Sequence, residues 1–255
     1  MEIRNKVLER LNNNLPCLGG WVMSSSVTAA EILAEAGFDW VCVDAEHSPV
    51  SFETVRNMFL AIERHGSEPF IRVSDSSEFG IKQSLDLGAK GIIIPMIKSA
   101  EEVEQIIAYA SYAPQGCRSF AITRASGQGA YSDEYFSQIN DNLFIGIMIE
   151  NIDSLPHLDK IFSKERIDTV FVGPYDLSGS MNIPGQFENK EFKEALDHIN
   201  SKAREYGVNM GIHEVYPTVE KIRNFIDNGY NFIACGVDTL YMREMAEKFA
   251  SSGKA

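Results

Sequence analysis

Eight short runs of apolar, largely β-branched residues recur along this chain, at 17–23, 38–44, 69–73, 91–97, 143–150, 167–173, 208–213 and 231–236. Segments with helical periodicity follow them, near 27–36, 51–65, 78–87, 99–112, 152–165, 189–206, 218–228 and 239–252. This alternation constrains the fold more than any other feature. Runs that are apolar on every position are buried on both faces, which implies a parallel sheet. Eight strand–helix units in 255 residues predict a (β/α)8 TIM barrel. The amphipathic segment at the N-terminus, Met1 to Leu11, adds one extra helix ahead of it. A doubly wound open sheet would carry Gly-x-Gly-x-x-Gly after its first strand, and none is present there.

Local signals agree with this layout. Thr28-Ala-Ala-Glu31 and Ser99-Ala-Glu-Glu102 fit the reciprocal capping box. Gly37, Gly66, Gly88, Gly207 and Gly229 each follow a helical pattern, where a left-handed residue ends a helix. Residues 114–142 form a long excursion between strands four and five, expected to be functional or to carry a short helix. No linker, repeat or low-complexity tract divides the chain, so one domain over 1–255 is expected.

Charge narrows the partners. With 23 basic against 36 acidic residues, the net charge of −13 repels phosphate backbones and anionic membranes. No apolar run reaches the roughly 18 residues of a membrane span. The four cysteines are widely spaced without a Cys-x-x-Cys pair, and free thiols in a soluble cytoplasmic protein are expected.

In such a barrel the active site lies at the C-terminal ends of the strands. Marking only those ends collects Asp44, Glu46 and His47, then Arg72, Pro95, Glu150, Gly173-Pro-Tyr-Asp176, His213, Gly236 and Asp238. Singly, each has an ordinary structural explanation: Glu150 could cap the next helix, and Asp176 could hold a turn. Jointly, two carboxylates on adjacent strand ends repel one another unless a cation lies between them. A hard divalent ion held through oxygen, Mg²⁺, Mn²⁺ or Co²⁺, fits a pair that leaves room for water and substrate. Of the five histidines, His47 is the best base candidate, because an acid beside it can fix its tautomer. Arg72 either pairs with a barrel carboxylate or binds an anionic substrate. Backbone amides near Gly173 and Pro174 could accept a carboxylate or phosphate.

The motifs Ala36-Gly-Phe-Asp-Trp40, Asp44-Ala-Glu-His47, Ile71-Arg-Val73, Leu85-Asp-Leu-Gly-Ala89, Ile94-Pro-Met96, Tyr112-Ala-Pro-Gln-Gly-Cys-Arg118, Ile149-Glu150, Gly173-Pro-Tyr-Asp-Leu-Ser178 and Gly236-Val-Asp238 occur in this order. Together they resemble the metal-dependent (class II) pyruvate aldolases. That group includes 4-hydroxy-2-oxoheptane-1,7-dioate aldolase and 2-dehydro-3-deoxyglucarate aldolase and is related to citrate lyase β-subunits. The resemblance implies that Glu150 and Asp176 bind the divalent metal. It implies that His47 serves acid–base chemistry, oriented by Asp44 or Asp86, and that Arg72 binds the keto oxygen and stabilises an enolate. The backbone amides near Tyr175 and Asp176 would take the pyruvate carboxylate, with Gly173 and Pro174 completing the substrate-binding segment. It further implies a homo-hexamer, a trimer of dimers, with exchanged C-terminal helices and Asp86 acting from a neighbouring chain.

The expected activity is reversible cleavage of a 4-hydroxy-2-oxo acid to pyruvate and an aldehyde. Oxaloacetate decarboxylation on the same site, or a non-catalytic barrel that binds a 2-oxo acid, are the alternatives. Two positions depart from the family pattern: Met148 replaces a Gln two residues before Glu150, and Ser119 replaces the second Gly of Gly-x-Arg-Gly. Met148 therefore counts as a substrate-facing candidate, a change in the pocket and not a loss of the metal site.

Overall fold

The computed structural model describes residues 3–252; residues 1–2 and 253–255, the two ends of the expected 1–255 domain, lie outside the described residues. Eight parallel strands close into a barrel in sequence order: β1 (Cys17–Val22), β2 (Trp40–Asp44), β3 (Glu68–Arg72), β4 (Gly91–Ile94), β5 (Phe144–Ile149), β6 (Thr169–Val172), β7 (Asn209–Glu214) and β8 (Phe232–Cys235). β8 pairs with β1 through Phe232 opposite Cys17, which closes the sheet. The helices are α1 (Lys6–Asn12), α2 (Val27–Glu35), α3 (Phe52–Arg64), α4 (Glu78–Asp86), α5 (Ala100–Ala110), α6 (Ser132–Asn142), α7 (Leu158–Phe162), α8 (Pro174–Ser180), α9 (Lys190–Tyr206), α10 (Val219–Asp227) and α11 (Asp238–Ser252). Among the described residues no helix is long and apolar enough to cross a membrane.

The strands alternate between two cores, as their period of two requires. On β5, Ile145, Ile147 and Ile149 pack outward against the helices, while Phe144 and Met148 point into the barrel. Aromatic rings fill that interior: Trp40 stacks on Phe232 at 4.2 Å, and Trp21 on Phe171 at 6.0 Å. They fit because glycine lies opposite them. A Cβ on Gly19 would stand 2.1 Å from the Trp40 ring. The bottom of the barrel is plugged by α1, whose Val7 and Leu11 join the interior cluster. Asn5 Nδ2 donates to the Lys90 carbonyl at 2.8 Å and holds this plug in place.

All five glycines expected to end helices have positive φ, from 69° at Gly207 to 100° at Gly88. Ser99 and Glu102 form the expected capping box. Thr28 does not: Ser26 caps α2 by accepting from the Ala29 amide, so Thr28 lies inside the helix. The helix expected at 152–165 is a 3₁₀ turn over Ile152–His157 followed by the short α7. Pro156 accounts for the break, since it lacks the amide a continuous helix needs.

The excursion at 114–142 carries a 3₁₀ turn (Arg124–Gly129) and α6. It packs at the bottom of the barrel. Arg124 donates to the Leu87 carbonyl at 2.8 Å and pairs with Glu63, at the ends of α4 and α3 that lead into β4 and β3. On α11 only Asp238 is buried; Met242, Met245 and Phe249 form one apolar face, each at least half exposed.

Candidate active site

The strand ends do converge. β2 and β3 run in register so that their last residues, Asp44 and Arg72, are partners across the sheet. Asp44 has no exposed surface, and its carboxylate accepts five hydrogen bonds. Arg72 grips both oxygens, through Nε at 3.1 Å to Oδ1 and through Nη2 to Oδ2. Trp21 Nε1 donates to Oδ2 at 3.1 Å, and the backbone amides of Glu46 and His47 donate to Oδ1 at 3.0 and 3.1 Å. Burial alone would raise the Asp44 carboxyl, but the Arg72 guanidinium outweighs it and keeps the group ionised, below its ordinary value.

Asp44 is thus a buried counter-ion, and its side chain does not orient the His47 ring. That neighbour is Glu46: its Oε2 lies 3.6 Å from His47 Nε2 and 3.0 Å from Arg72 Nη1. The His47 side chain is 57% exposed and therefore free to meet a substrate. Arg72 is held by two acids and lies 5.2 Å above the Trp21 ring. A guanidinium pinned this way keeps one orientation without spending rotamer entropy on each substrate.

Glu150, one residue past β5, is only 3% exposed. Its Oε1 accepts from the Met96 amide at 2.8 Å. Its Oε2 is buried and has no hydrogen-bond partner among the described residues. Met96 has φ of 58°, a left-handed backbone unusual for a non-glycine residue, and this turn aims its amide at Glu150. Gly173 lies against the free oxygen, and a Cβ there would come within 2.5 Å of Oε2. Burial pushes the Glu150 carboxyl up to about 7; the Met96 bond opposes the shift, the carboxylates of Asp176 and Glu46 add to it, and Arg72 opposes it.

Asp176 lies in the first turn of α8. Gly173 is the N-cap and Pro174 occupies the first helical position, which needs no amide. The amides of Tyr175 and Asp176 therefore belong to the unbonded first turn of a helix whose positive end faces the site. Asp176 is exposed beside the buried Glu150.

Not every expected residue joins this group. Asp86 ends α4 at the bottom of the barrel and pairs there with the buried Arg118 at 2.8 Å, so within one chain it is far from the rim. Met148 lies in the barrel interior, 4% exposed, one inward step below Glu150. His213 Nε2 bonds the Gly236 carbonyl at 2.9 Å, and the ring lies 4.8 Å from Trp21. Burial pushes its pKa down to about 4, leaving it neutral. Asp238 accepts from the Met23 and Ser24 amides and ties β8 to β1.

The site also contains residues that were not among the expected site residues. Trp21 faces it from the inward side of β1 and donates to Asp44, while Glu46, collected at a strand end without a role, is the acid beside both His47 and Arg72. Met96 gave no signal, because nothing in a methionine announces a left-handed backbone.

A family model described as HpcH/HpaI aldolase/citrate lyase matches residues 18–244, and the chain belongs to that family. It is 34% identical to 2-keto-3-deoxy-L-rhamnonate aldolase of Escherichia coli (strain K12), covering 99% of this chain and 95% of that protein. It is 33% identical to 4-hydroxy-2-oxo-heptane-1,7-dioate aldolase of Escherichia coli (strain ATCC 8739), covering 98% and 95%. A crystal structure of a family member from Burkholderia cenocepacia J2315 superposes with a TM-score of 0.92 at 26% identity, covering 98% of this chain and all of that one. These relatives make the chain an enzyme of the carbon–carbon lyase class.

Proposed function

We propose that this enzyme reversibly cleaves a 4-hydroxy-2-oxo acid to pyruvate and an aldehyde, with a divalent cation held by Glu150 and Asp176. One observation carries the reading: a buried carboxylate oxygen without a partner, beside a second carboxylate and against a glycine that leaves it room. A buried unpaired anion is costly, and a cation removes the cost. The donor set is all oxygen, which suits Mg²⁺, Mn²⁺ or Co²⁺. Bound there, such an ion supplies Lewis acidity toward the oxygens of a 2-oxo acid.

The remaining chemistry falls to the chain's own side chains. Cleavage of the C3–C4 bond leaves an electron pair on the pyruvate fragment, and the Arg72 guanidinium faces that charge in a fixed orientation. Asp44 and Glu46 position Arg72 from behind. His47 takes the proton of the C4 hydroxyl as the aldehyde forms, and C3 of the resulting enolate takes up a proton to complete pyruvate; the synthetic direction reverses both transfers, with Glu46 beside the His47 ring. The amides of Tyr175 and Asp176 receive the substrate carboxylate.

Asp86 enters this scheme from a neighbouring subunit, in a homo-hexamer whose C-terminal helices are exchanged. The bare face of α11 supports that part: Met242, Met245 and Phe249 recur on one side of a helix and stay at least half exposed among the described residues. Pyruvate release from a generic 4-hydroxy-2-oxo acid, assayed before and after exhaustive chelation, tests the whole reading. Activity should vanish with the metal and in Glu150→Ala; full activity in either case refutes it.

A further inference from the structure

A cavity of about 500 Å³ opens beside the rim, between α8, the start of α9 and the end of β7. Two features tie it to the site. Its wall includes Tyr175, next to Asp176, and His213, which packs on the Trp21 ring that holds Asp44. Tyr175 stands edge-on to Phe187 at 4.9 Å, so the apolar lining begins one residue from Asp176. Farther in, the lining is Phe192, Leu196, Ile212 and Phe225.

The charges around this cavity cancel. Lys193 donates to Glu188 at 2.6 Å. Lys221 donates to Glu214 at 2.9 Å and to the Tyr216 carbonyl at 3.0 Å. No other Lys or Arg lines the cavity among the described residues. His213 is neutral, with Nε2 committed to a carbonyl. Arg72 is already held by two acids. These pairs sit at the solvent-facing mouth; a second substrate carboxylate set deeper, against Phe192, Leu196, Ile212 and Phe225, would lose its hydration and meet no unpaired cation among the described residues.

We infer that the cavity holds the aldehyde half of the substrate and selects an uncharged aldehyde with an apolar tail. The inference rests on the reading of the rim as a pyruvate-enolate centre. It separates this chain from the relative named for a dioate substrate, which carries a carboxylate at each end. In the synthetic direction, C3 of pyruvate loses a proton and bonds to the aldehyde carbon, whose oxygen gains a proton, so no further reactant is needed.

The test compares 4-methylpentanal with succinic semialdehyde as acceptors for pyruvate in the Mn²⁺-loaded enzyme. The two have the same heavy-atom skeleton and differ in an isopropyl group against a carboxylate. The kcat/KM for 4-methylpentanal should be at least about tenfold higher, the discrimination expected when one buried charge goes unpaired. Phe187→Arg, which places a cation in the cavity, should shrink or reverse that ratio. Exchange of the pyruvate methyl protons with D₂O, followed by NMR without aldehyde, reports the enolate centre separately. Exchange with an equal or higher kcat/KM for succinic semialdehyde overturns the inference and leaves the aldolase reading standing. No exchange overturns both.

Discussion

Met96 offers the sharpest test of how the site is built, because its contribution comes from its backbone. Among the described residues its amide is the single hydrogen-bond donor to a carboxylate that is 3% exposed, and it reaches Glu150 through a φ of 58°. A hydrogen bond to a charged group contributes about 1.5–3 kcal/mol. A left-handed backbone costs an L-residue about 1–2 kcal/mol, and a β-branched side chain resists it most. Met96→Val should therefore relax to negative φ and swing the amide away. With Oε1 released, Glu150 is no longer held with Oε2 in its place beside Gly173. A loss of about 2 kcal/mol corresponds to roughly thirtyfold weaker cation binding.

The assay is calorimetric titration of metal-stripped protein with Mn²⁺, with thermal midpoints measured alongside. Met96→Gly and Met96→Asn tolerate positive φ and should stay within about threefold of the parent. If Met96→Val binds Mn²⁺ as tightly as the parent, the amide does not matter. If Met96→Gly loses as much as Met96→Val, the side chain carries the effect, and the backbone argument is wrong.

Other positions give independent checks. Arg72→Ala strands the fully buried Asp44 charge and should destabilise the protein by about 3 kcal/mol or more in urea unfolding, besides abolishing turnover; an unchanged midpoint would show that the pair is dispensable. Met148→Gln restores the residue common in the family but puts an amide among apolar rings, at a cost of about 1–3 kcal/mol unless it finds a partner. Unchanged stability with a shifted KM would instead place that amide in the substrate pocket.

Asp168 accepts from the Ile145 amide at 2.7 Å, and burial pushes its pKa up to about 7. The folded state then keeps a proton that the unfolded chain releases near the ordinary carboxylate value. Its contribution is complete below about pH 4 and is lost as pH rises through 7. Asp168→Asn should flatten that slope in denaturant midpoints between pH 4 and 7, and an unaltered slope would assign the pH dependence to other groups.

Much of this protein is legible in its sequence. Side chains along a strand alternate with a period of two, and helices recur with a period of 3.6, so the eight units and their order follow from local chemistry alone. The same periodicity put Asp44, Arg72 and Glu150 at strand ends on one rim, and local backbone preference marked five helix-ending glycines. Closure of the barrel decided the rest, because it determines which side chains meet across gaps that no local rule spans. Only the closed sheet hands the Asp44 carboxylate to Arg72, leaves Glu46 for His47, and brings the Met96 amide just past β4 to Glu150 just past β5. It also carries Asp86 to the opposite end, since a helix that follows a strand runs back down the barrel. The residue types at the rim came from the sequence; the partner each one takes depends on packing around a ring.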